Sequence, residues 1–162
     1  MDSLTLRPVN VDDAQIIWTW RNSEGAHKYY KNPTRQTLED HTAWINSAIS
    51  DSKNQLWIIE DNGEPVSHVR IDFVSERIAS VSIVVDPTRY GKGYGKQSLF
   101  LVLDGLISNG ISVSIFAEIH IDNIASRKLF EAAGFQRHSE CAPFLSYMLS
   151  LRGERVKMQG NP

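Results

Sequence analysis

The feature that most restricts the fold is a glycine-rich turn between an apolar strand and an apolar helix. Gly91, Gly93 and Gly95 alternate with other residues, and only residues 86–90 separate them from the apolar run 81–85. Glycine adopts positive φ without strain, and it has no Cβ to keep a ligand from the backbone. Several backbone N–H groups converge at such a junction, where the N-terminus of the helix is positive. The turn therefore predicts an anion-binding cradle.

Two familiar phosphate-binding turns do not fit these residues. A P-loop needs four residues between its first glycine and its Gly-Lys pair, whereas Gly91 and Gly95 enclose only three, and Gln97 replaces the magnesium-binding Ser or Thr. A dinucleotide fingerprint has the spacing G-x-G-x-x-G in a parallel βαβ unit, but this turn reads G-x-G-x-G after an antiparallel run. A turn for the pyrophosphate of coenzyme A and a purely structural glycine loop remain open.

The rest of the sequence predicts strands and helices in a mixed order. Apolar residues recur with period two in residues 55–87, with a hairpin turn at 61–63, and with helical spacing in residues 37–49. The predicted strands are residues 4–8, 56–59, 66–74, 78–85, 111–119, 135–138 and 144–151. The first predicted helix begins after residue 13, and the others span residues 37–49, about 95–107 and 123–133. The order β-α-α-β-β-β-α-β-α-β-β predicts an α/β domain.

Length and composition are those of one ordinary globular domain. The 162 residues are 41% hydrophobic and 22% charged, so we expect a single domain over residues 1–151 and a loose polar tail over residues 152–162. The net charge of −2 excludes non-specific nucleic-acid binding, which needs an excess of Lys and Arg.

The sequence also predicts a cytoplasmic protein without membrane contact. No apolar run approaches the roughly 20 residues of a membrane span, and residues 1–3 lack the charge and hydrophobicity of a secretory leader. The single Cys141 fits a reducing compartment and is more typical of a buried apolar residue than of a nucleophile. We expect no metal site.

A second motif lies about 30 residues after the glycine turn and gives the chain a family resemblance. Residues 123–135 read Asn-Ile-Ala-Ser-Arg-Lys-Leu-Phe-Glu-Ala-Ala-Gly-Phe. Together with the turn and the order of elements, this motif resembles the GCN5-related N-acetyltransferase (GNAT) family over residues 4–151. The resemblance implies a GNAT fold, in which helices flank a mixed, mostly antiparallel sheet of about seven strands, and acetyl-CoA as the cofactor.

The resemblance also implies a cofactor site. Backbone amides of the turn would bind the pyrophosphate, the strand before it would pair with the pantetheine arm, and the second motif would contact the cofactor further along. The residues implied are Val84, Val85, Tyr90, Gly91, Lys92, Gly93, Tyr94, Gly95, Lys96, Asn123 and Ser126. The chain departs from the family at Tyr90, which is commonly Gln or Arg, and at Phe130, which in many members is the Tyr that protonates the departing thiolate.

Amide formation by direct attack needs a base for the amine and a proton donor for the sulfur. Glu118 and His120 are the candidate bases, because they lie two residues apart at the end of one predicted strand and so share a face. The position of Glu118 is equally typical of an ion-paired carboxylate on the surface. A single His more often packs against its neighbours or caps the end of an element. Ser126 and Tyr147 are the candidate acids.

The acceptor site is predicted in the two N-terminal helices and the loop between them, which are rich in aromatic and planar polar groups. The residues selected are Trp20, Arg21, Asn22, Tyr29, Tyr30 and His41, although Trp20 fits the core as well. This pattern resembles the subgroup that acetylates nucleotide-linked amino sugars, as in pseudaminic acid biosynthesis.

Other acceptors and partners stay open at this stage. A protein N-terminus of the ribosomal-protein type, polyamines and aminoglycosides are alternatives to a nucleotide-linked amino sugar, so the acceptor is expected to be a small-molecule amine or a peptide. A non-catalytic domain that senses acyl-CoA is the alternative of another class, because Phe130 replaces the usual Tyr. An exposed strand edge of this fold would also allow a homodimer.

Overall fold

A seven-stranded mixed sheet forms the centre of the protein, in a computed structural model that describes residues 4–32 and 34–153. Its spatial order is β1-β2-β3-β4-β5-β7-β6, and every neighbouring pair is antiparallel except β4 and β5. The strands are β1 (Thr5–Pro8), β2 (Asn54–Asp61), β3 (Glu64–Phe73), β4 (Ile78–Val85), β5 (Val113–His120), β6 (Gln136–Cys141) and β7 (Phe144–Leu151).

The helices are α1 (Ala14–Arg21), α2 (Glu24–His27), α3 (Leu38–Ser50), α4 (Tyr94–Ser108) and α5 (Ile124–Ala132). The predicted fold class is confirmed, with predicted boundaries close to those observed. One element was missed: α2 has only four residues, too few for a helical period to show in the sequence. Short 3₁₀ turns at Val11–Asp13 and Pro87–Arg89 precede α1 and the glycine turn.

The two faces of the sheet carry separate cores. On one face α4 and α5 pack on residues such as Val69, Ile115 and Tyr147, which belong to the larger cluster. On the other face α1 and α3 pack on β2 and β4 through a second cluster that includes Trp20 and Ile58. Since α1 and α3 lie over β2 and β4, side chains of β5 and β7 on that face remain available to line a pocket.

Four further expectations concern the homodimer, Cys141, the C-terminal tail and membrane contact. All six residues of β6 are exposed at the sheet edge, and the homodimer stays a prediction. Cys141, expected to be buried, is exposed because it lies on this edge strand. Of the predicted tail, residues 154–162 lie outside the described range. In residues 4–32 and 34–153, no helix combines the length and the hydrophobicity needed to cross a membrane.

Two buried histidines make the fold sensitive to acid. Burial lowers the pKa of His68 to about 3 and, together with the charge of Arg21, that of His41 to about 4. Both side chains are only 2% exposed. In the unfolded chain a histidine takes up its proton below about pH 6.5, so the unfolded state binds more protons than the folded state at mildly acid pH.

We therefore expect stability to fall as the pH drops from about 7.5 to about 5, by about 2 kcal/mol for each of the two histidines. Urea unfolding of the wild type and of the His68→Asn variant at several pH values measures this effect. The variant should show a shallower decrease, whatever its stability at neutral pH. His138→Asn, which changes an exposed histidine, is the control and should keep the wild-type slope. Equal slopes for wild type and His68→Asn would contradict the assignment.

Candidate active site

A gap opens in the middle of the sheet, between the parallel strands β4 and β5. The two strands pair only at their beginnings, where Ile78, Ala79 and Ser80 lie opposite residues 114–116. In contrast, β4 pairs with β3 along residues 79–85. Residues 81–85 therefore have a ladder partner on one side only, and their other edge faces the gap, where an extended ligand can bind the backbone.

The glycine turn lies directly after the open part of β4. Gly91 has φ +76° and Gly93 has φ +82°, a region that L side chains rarely adopt, and Gly93 is the N-cap of α4. A Cβ at Gly91 would meet no atom within 4 Å, so the space above the turn is open. The backbone amides of residues 91–96 are placed at the positive end of a 15-residue helix, as the predicted anion cradle requires.

Gly95 has a different role from the first two glycines. A Cβ at this position would come within 2.6 Å of Leu129 Cδ1 and 3.4 Å of a methyl group of Val85. Glycine therefore allows α4 to approach α5 and β4 closely, which brings the helix start against the open strand.

Polar contacts fix the turn to the neighbouring hairpin. The Tyr94 hydroxyl donates a hydrogen bond to Asp61 Oδ2 at 2.5 Å, and this bond is the main reason why the pKa of Tyr94 is raised. The guanidinium of Arg89 lies 5.8 Å from the Tyr94 ring centroid and forms an ion pair with Asp86 at 3.3 Å. Tyr90 is 48% exposed, and its ring covers Gly25 of α2. Tyr94 thus positions the cradle through its side chain.

The second motif, residues 123–135, contains the whole of α5, from its N-cap to the residues that follow it. The side chain of Asn123 accepts a hydrogen bond from the Ser126 amide at 3.2 Å and caps the helix. Phe130 is buried, 3% exposed, and packs edge-to-face on Phe135 with the ring centroids 5.0 Å apart. Asn123 therefore orients α5, and Phe130 is a core residue without a proton to donate.

A pocket of about 620 Å³ lies on the face of the sheet that carries α1 and α3. Loop residues after α2 form one wall, and side chains of β3, β4, β5 and β7 form the floor. The lining residues are Trp18, Arg21, Asn22, His27, Tyr29, Tyr30, Lys31, Asn32, Thr34, Gln36, His41, Arg70, Ser80, Val81, Ser82, Phe116, Glu118, Phe144 and Ser146.

Glu118 projects into this pocket beyond the last paired residues of β4 and β5. Its side chain is 57% exposed, and its carboxylate forms an ion pair with Lys31 Nζ at 2.5 Å. His120, two residues further along β5, lies outside the lining set, between the rings of Tyr29 and Phe144 at centroid distances of 5.6 and 5.4 Å. Its Nδ1 accepts the Asp122 amide at 3.1 Å, so His120 packs and caps the strand end. Glu118 remains the stronger candidate base.

Tyr147, one of the two predicted acids, requires a correction, because the structure buries its hydroxyl in a hydrogen-bond network under α5. It pairs with Ala117 across β5 and β7 and is 1% exposed beneath α5. Its hydroxyl donates to Glu131 at 2.9 Å and accepts from Arg127 at 3.4 Å. Its proton is thus already bonded within a buried network, and Tyr147 joins β7 to α5. Of the predicted acids, Ser126 remains.

Trp20, predicted in the acceptor site, is also corrected. It is 3% exposed in the second core, because its place in α1 faces β2 and β4. The other five residues of that prediction, Arg21, Asn22, Tyr29, Tyr30 and His41, all line the pocket.

Two of these five are fixed by their neighbours. The Arg21 guanidinium lies 4.7 Å from the Tyr30 ring centroid, where a cation–π contact stabilises it. The side-chain amide of Asn22 donates to the Trp18 carbonyl at 2.9 Å and closes α1. The arginine therefore offers a pre-oriented charge to the pocket.

Sequence reasoning placed Lys31 near the pocket but missed Arg70 and Phe144 as site residues. A signal for Arg70 was present in the alternation of His68, Arg70 and Asp72, which marks a polar face on a strand that is otherwise apolar. No comparable local pattern marks Phe144, which enters the pocket lining only through tertiary packing.

Solved structures share this fold over nearly the whole chain. A domain from Methanocaldococcus jannaschii DSM 2661 is 25% identical, with a TM-score of 0.79 over 92% of this chain and 99% of its own. Spermidine N-acetyltransferase from Vibrio cholerae, in complex with coenzyme A and spermine, is 19% identical, with a TM-score of 0.81 and coverages of 93% and 97%. The ribosomal L7/L12 α-N-protein acetyltransferase RimL, solved with coenzyme A, is 14% identical, with a TM-score of 0.79 and coverages of 95% and 97%.

A family model of the acetyltransferase (GNAT) domain matches residues 3–136. The curated proteins contain no match. Because the family match spans most of the chain and includes the gap and the glycine turn, the protein belongs to the GNAT acetyltransferases and uses acetyl-CoA as its acetyl donor.

Proposed function

We propose that this enzyme transfers the acetyl group of acetyl-CoA to the primary amine of a nucleotide-linked amino sugar, as in the pseudaminic acid pathway. The observation that carries the proposal is the gap between β4 and β5, which has the glycine turn at one end and a cation-rich pocket on one face. This arrangement supports a reaction between a phosphorylated donor and an acceptor that enter from different sides.

The residues around the gap fit coenzyme A. The amides of residues 91–96 would hold the pyrophosphate, the free edge of β4 at Val84 and Val85 the pantetheine arm, and Asn123 and Ser126 the part beyond it. The open space above Gly91 leaves room for a phosphate against the backbone. When bound, acetyl-CoA supplies an activated acyl group as a thioester.

Glu118 is proposed to take the proton from the acceptor amine. A primary amine attacks only when it is neutral, and Glu118 lies in the pocket where the strands separate. Its ion pair with Lys31 supports this role, because the site already accommodates one primary ammonium group. The amine of the acceptor would replace Lys31 beside the carboxylate. Ser126 is proposed to donate the proton to the leaving sulfur.

The charge of the pocket favours an anionic acceptor. Three cations, Arg21, Lys31 and Arg70, line it against one carboxylate, Glu118, among the described lining residues. Polyamines and aminoglycosides are polycations, which such a pocket repels, whereas the diphosphate of a nucleotide sugar is attracted. The rings of Tyr29 and Tyr30 in the same wall provide surfaces on which a base or a sugar can stack.

Free-thiol release from acetyl-CoA tests this proposal, with nucleotide-linked amino sugars, N-terminal peptides, polyamines and aminoglycosides as acceptors. We expect turnover with the nucleotide-linked amino sugars. Turnover confined to the polyamines or aminoglycosides would contradict the proposed acceptor class. Tight acetyl-CoA binding by calorimetry without turnover on any acceptor would favour the acyl-CoA sensor instead.

A further inference from the structure

Three buried nitrogen atoms around the pocket have no hydrogen-bond partner in the described structure: Nε2 of His27, Nε2 of His41 and Nε of Arg70. All three residues line the same pocket. An unsatisfied buried polar group costs about 1 to 3 kcal/mol, so such groups are rare unless ordered water or a ligand satisfies them. The three side chains belong to the wall of one cavity, and this favours a polar ligand group that binds there.

The charge at this end of the pocket is positive and incompletely neutralised. Arg70 Nε lies 2.9 Å from Asp72 Oδ2, but it is not aligned for a hydrogen bond. Arg21 is close enough to lower the pKa of Arg70 by charge repulsion, in addition to the larger effect of burial. Two guanidinium groups therefore lie close together, and one carboxylate, that of Asp72, is paired with Arg70, which favours an additional anion.

Aromatic rings hold both guanidinium groups in place. Arg70 lies 4.9 Å from the ring centroid of Trp44, and Arg21 lies 4.7 Å from that of Tyr30. Trp44 in turn packs on His41, with the ring centroids 5.7 Å apart. A planar guanidinium whose orientation is fixed loses little entropy when it binds an oxyanion with two hydrogen bonds. The Arg21, His41 and Arg70 side chains are thus pre-organised.

We propose that Arg21, His41 and Arg70 form a subsite for an oxyanion of the acceptor, and that Arg70 is its principal specificity residue. The inference rests on the proposed function and extends it. His41 is neutral at physiological pH, because burial lowers its pKa to about 4, so its ring can donate one hydrogen bond without adding charge. The two arginines supply the charge.

The subsite defines what the acceptor must look like. Glu118, the candidate base, lines the same pocket but comes from β5, whereas Arg70 comes from β3, with β4 between the two strands. Paired strands lie about 4.8 Å apart, and β4 and β5 diverge before Glu118, so the strands that carry Arg70 and Glu118 are separated by roughly 10 Å or more. A separation of this size favours an acceptor that has a sugar between its amine and its phosphate.

Calorimetric binding of uridine diphosphate in the presence of saturating coenzyme A tests the subsite. Coenzyme A fills the glycine turn, so that uridine diphosphate reports only on the pocket. We expect Arg70→Gln and Arg21→Gln each to weaken binding about tenfold or more, which is the effect of losing a charge-assisted hydrogen bond. Arg70→Lys should recover only part of the loss, since it lacks the guanidinium fork. Arg137→Gln, which changes an exposed arginine on β6, should bind like the wild type.

The outcomes separate the subsite from the proposed function. The subsite is overturned if the wild type and both Arg→Gln variants bind uridine diphosphate with equal affinity, or if the wild type binds uridine as tightly as uridine diphosphate. Either result counts against the subsite even if nucleotide-linked amino sugars are acetylated. Muramic acid, a carboxylated amino sugar, is the second probe. If muramic acid binds in a way that depends on Arg70 and uridine diphosphate does not bind, the subsite is supported, with a carboxylate as its oxyanion. The same result would contradict a nucleotide-linked acceptor. No binding of either probe to the wild type would overturn the subsite.

Discussion

Replacement of Gly93 by Asp will abolish acetyl-CoA binding. Gly93 is the N-cap of α4 with φ +82°, so a side chain here stands at the positive helix end where the pyrophosphate is expected. A carboxylate at this position repels the phosphates and competes for the same backbone amides. We expect a loss of affinity of more than about a hundredfold, measured by calorimetry.

Two control variants separate charge from backbone strain. Gly93→Ala keeps the strain of a side chain at positive φ, about 1 to 2 kcal/mol, without the charge. Gly110→Asp introduces the same residue at φ +75°, after the other end of α4, where a Cβ meets no atom within 4 Å. We expect an intermediate affinity for Gly93→Ala and the wild-type affinity for Gly110→Asp. Unchanged binding by a folded Gly93→Asp protein would refute the assigned cradle.

The geometry of the glycine turn could be predicted from the sequence because its determinants are local. Three alternating glycines after an apolar strand require a particular backbone, and the helix that follows supplies the positive end whatever the rest of the chain does. The strands and helices were predictable for the same reason, since each hydrophobic period reports a face of its own segment. Even so, the packing role of Gly95 against Leu129 depends on α5 and was not foreseen.

The pocket was predictable only in part, because it depends on which face of each element meets which neighbour. Trp20 and Arg21 are adjacent in the sequence, but one turns into the core and the other lines the pocket. Glu118 and Tyr147 both lie near the gap, but β5 and β7 place them on opposite faces of the sheet. A side chain's neighbours from a distant loop, such as Lys31 beside Glu118, have no signature in the local sequence.

The ion pair between Glu118 and Lys31 leaves two explanations for any effect of Glu118 on catalysis. The carboxylate accepts a proton from the acceptor amine, or it only holds Lys31 and the loop that carries it. Both side chains are more than half exposed, at 57% and 56%, so the pair itself contributes little to stability. A variant of each partner distinguishes the two roles.

Replacement of Glu118 by Gln is expected to lower kcat for acetyl transfer about a hundredfold or more, which is the usual contribution of a general base. The affinity for acetyl-CoA should stay nearly unchanged, because Glu118 lies on the pocket face of β5 and not in the glycine turn. The defect should shrink as the pH rises, since more of the acceptor amine is then neutral without the base.

Lys31→Met and Glu140→Gln complete this test. If Glu118 acts as the base, Lys31→Met should not reproduce the loss in kcat, because the carboxylate remains. If Glu118 only holds the loop, the two variants should be equally slow and the defect of Glu118→Gln should not depend on pH. Glu140→Gln removes an exposed, ion-paired carboxylate on the edge strand β6, which β7 separates from β5, and should keep the wild-type rate. Normal turnover by Glu118→Gln would remove Glu118 as the base and direct attention to His120, the other candidate on the same face of β5.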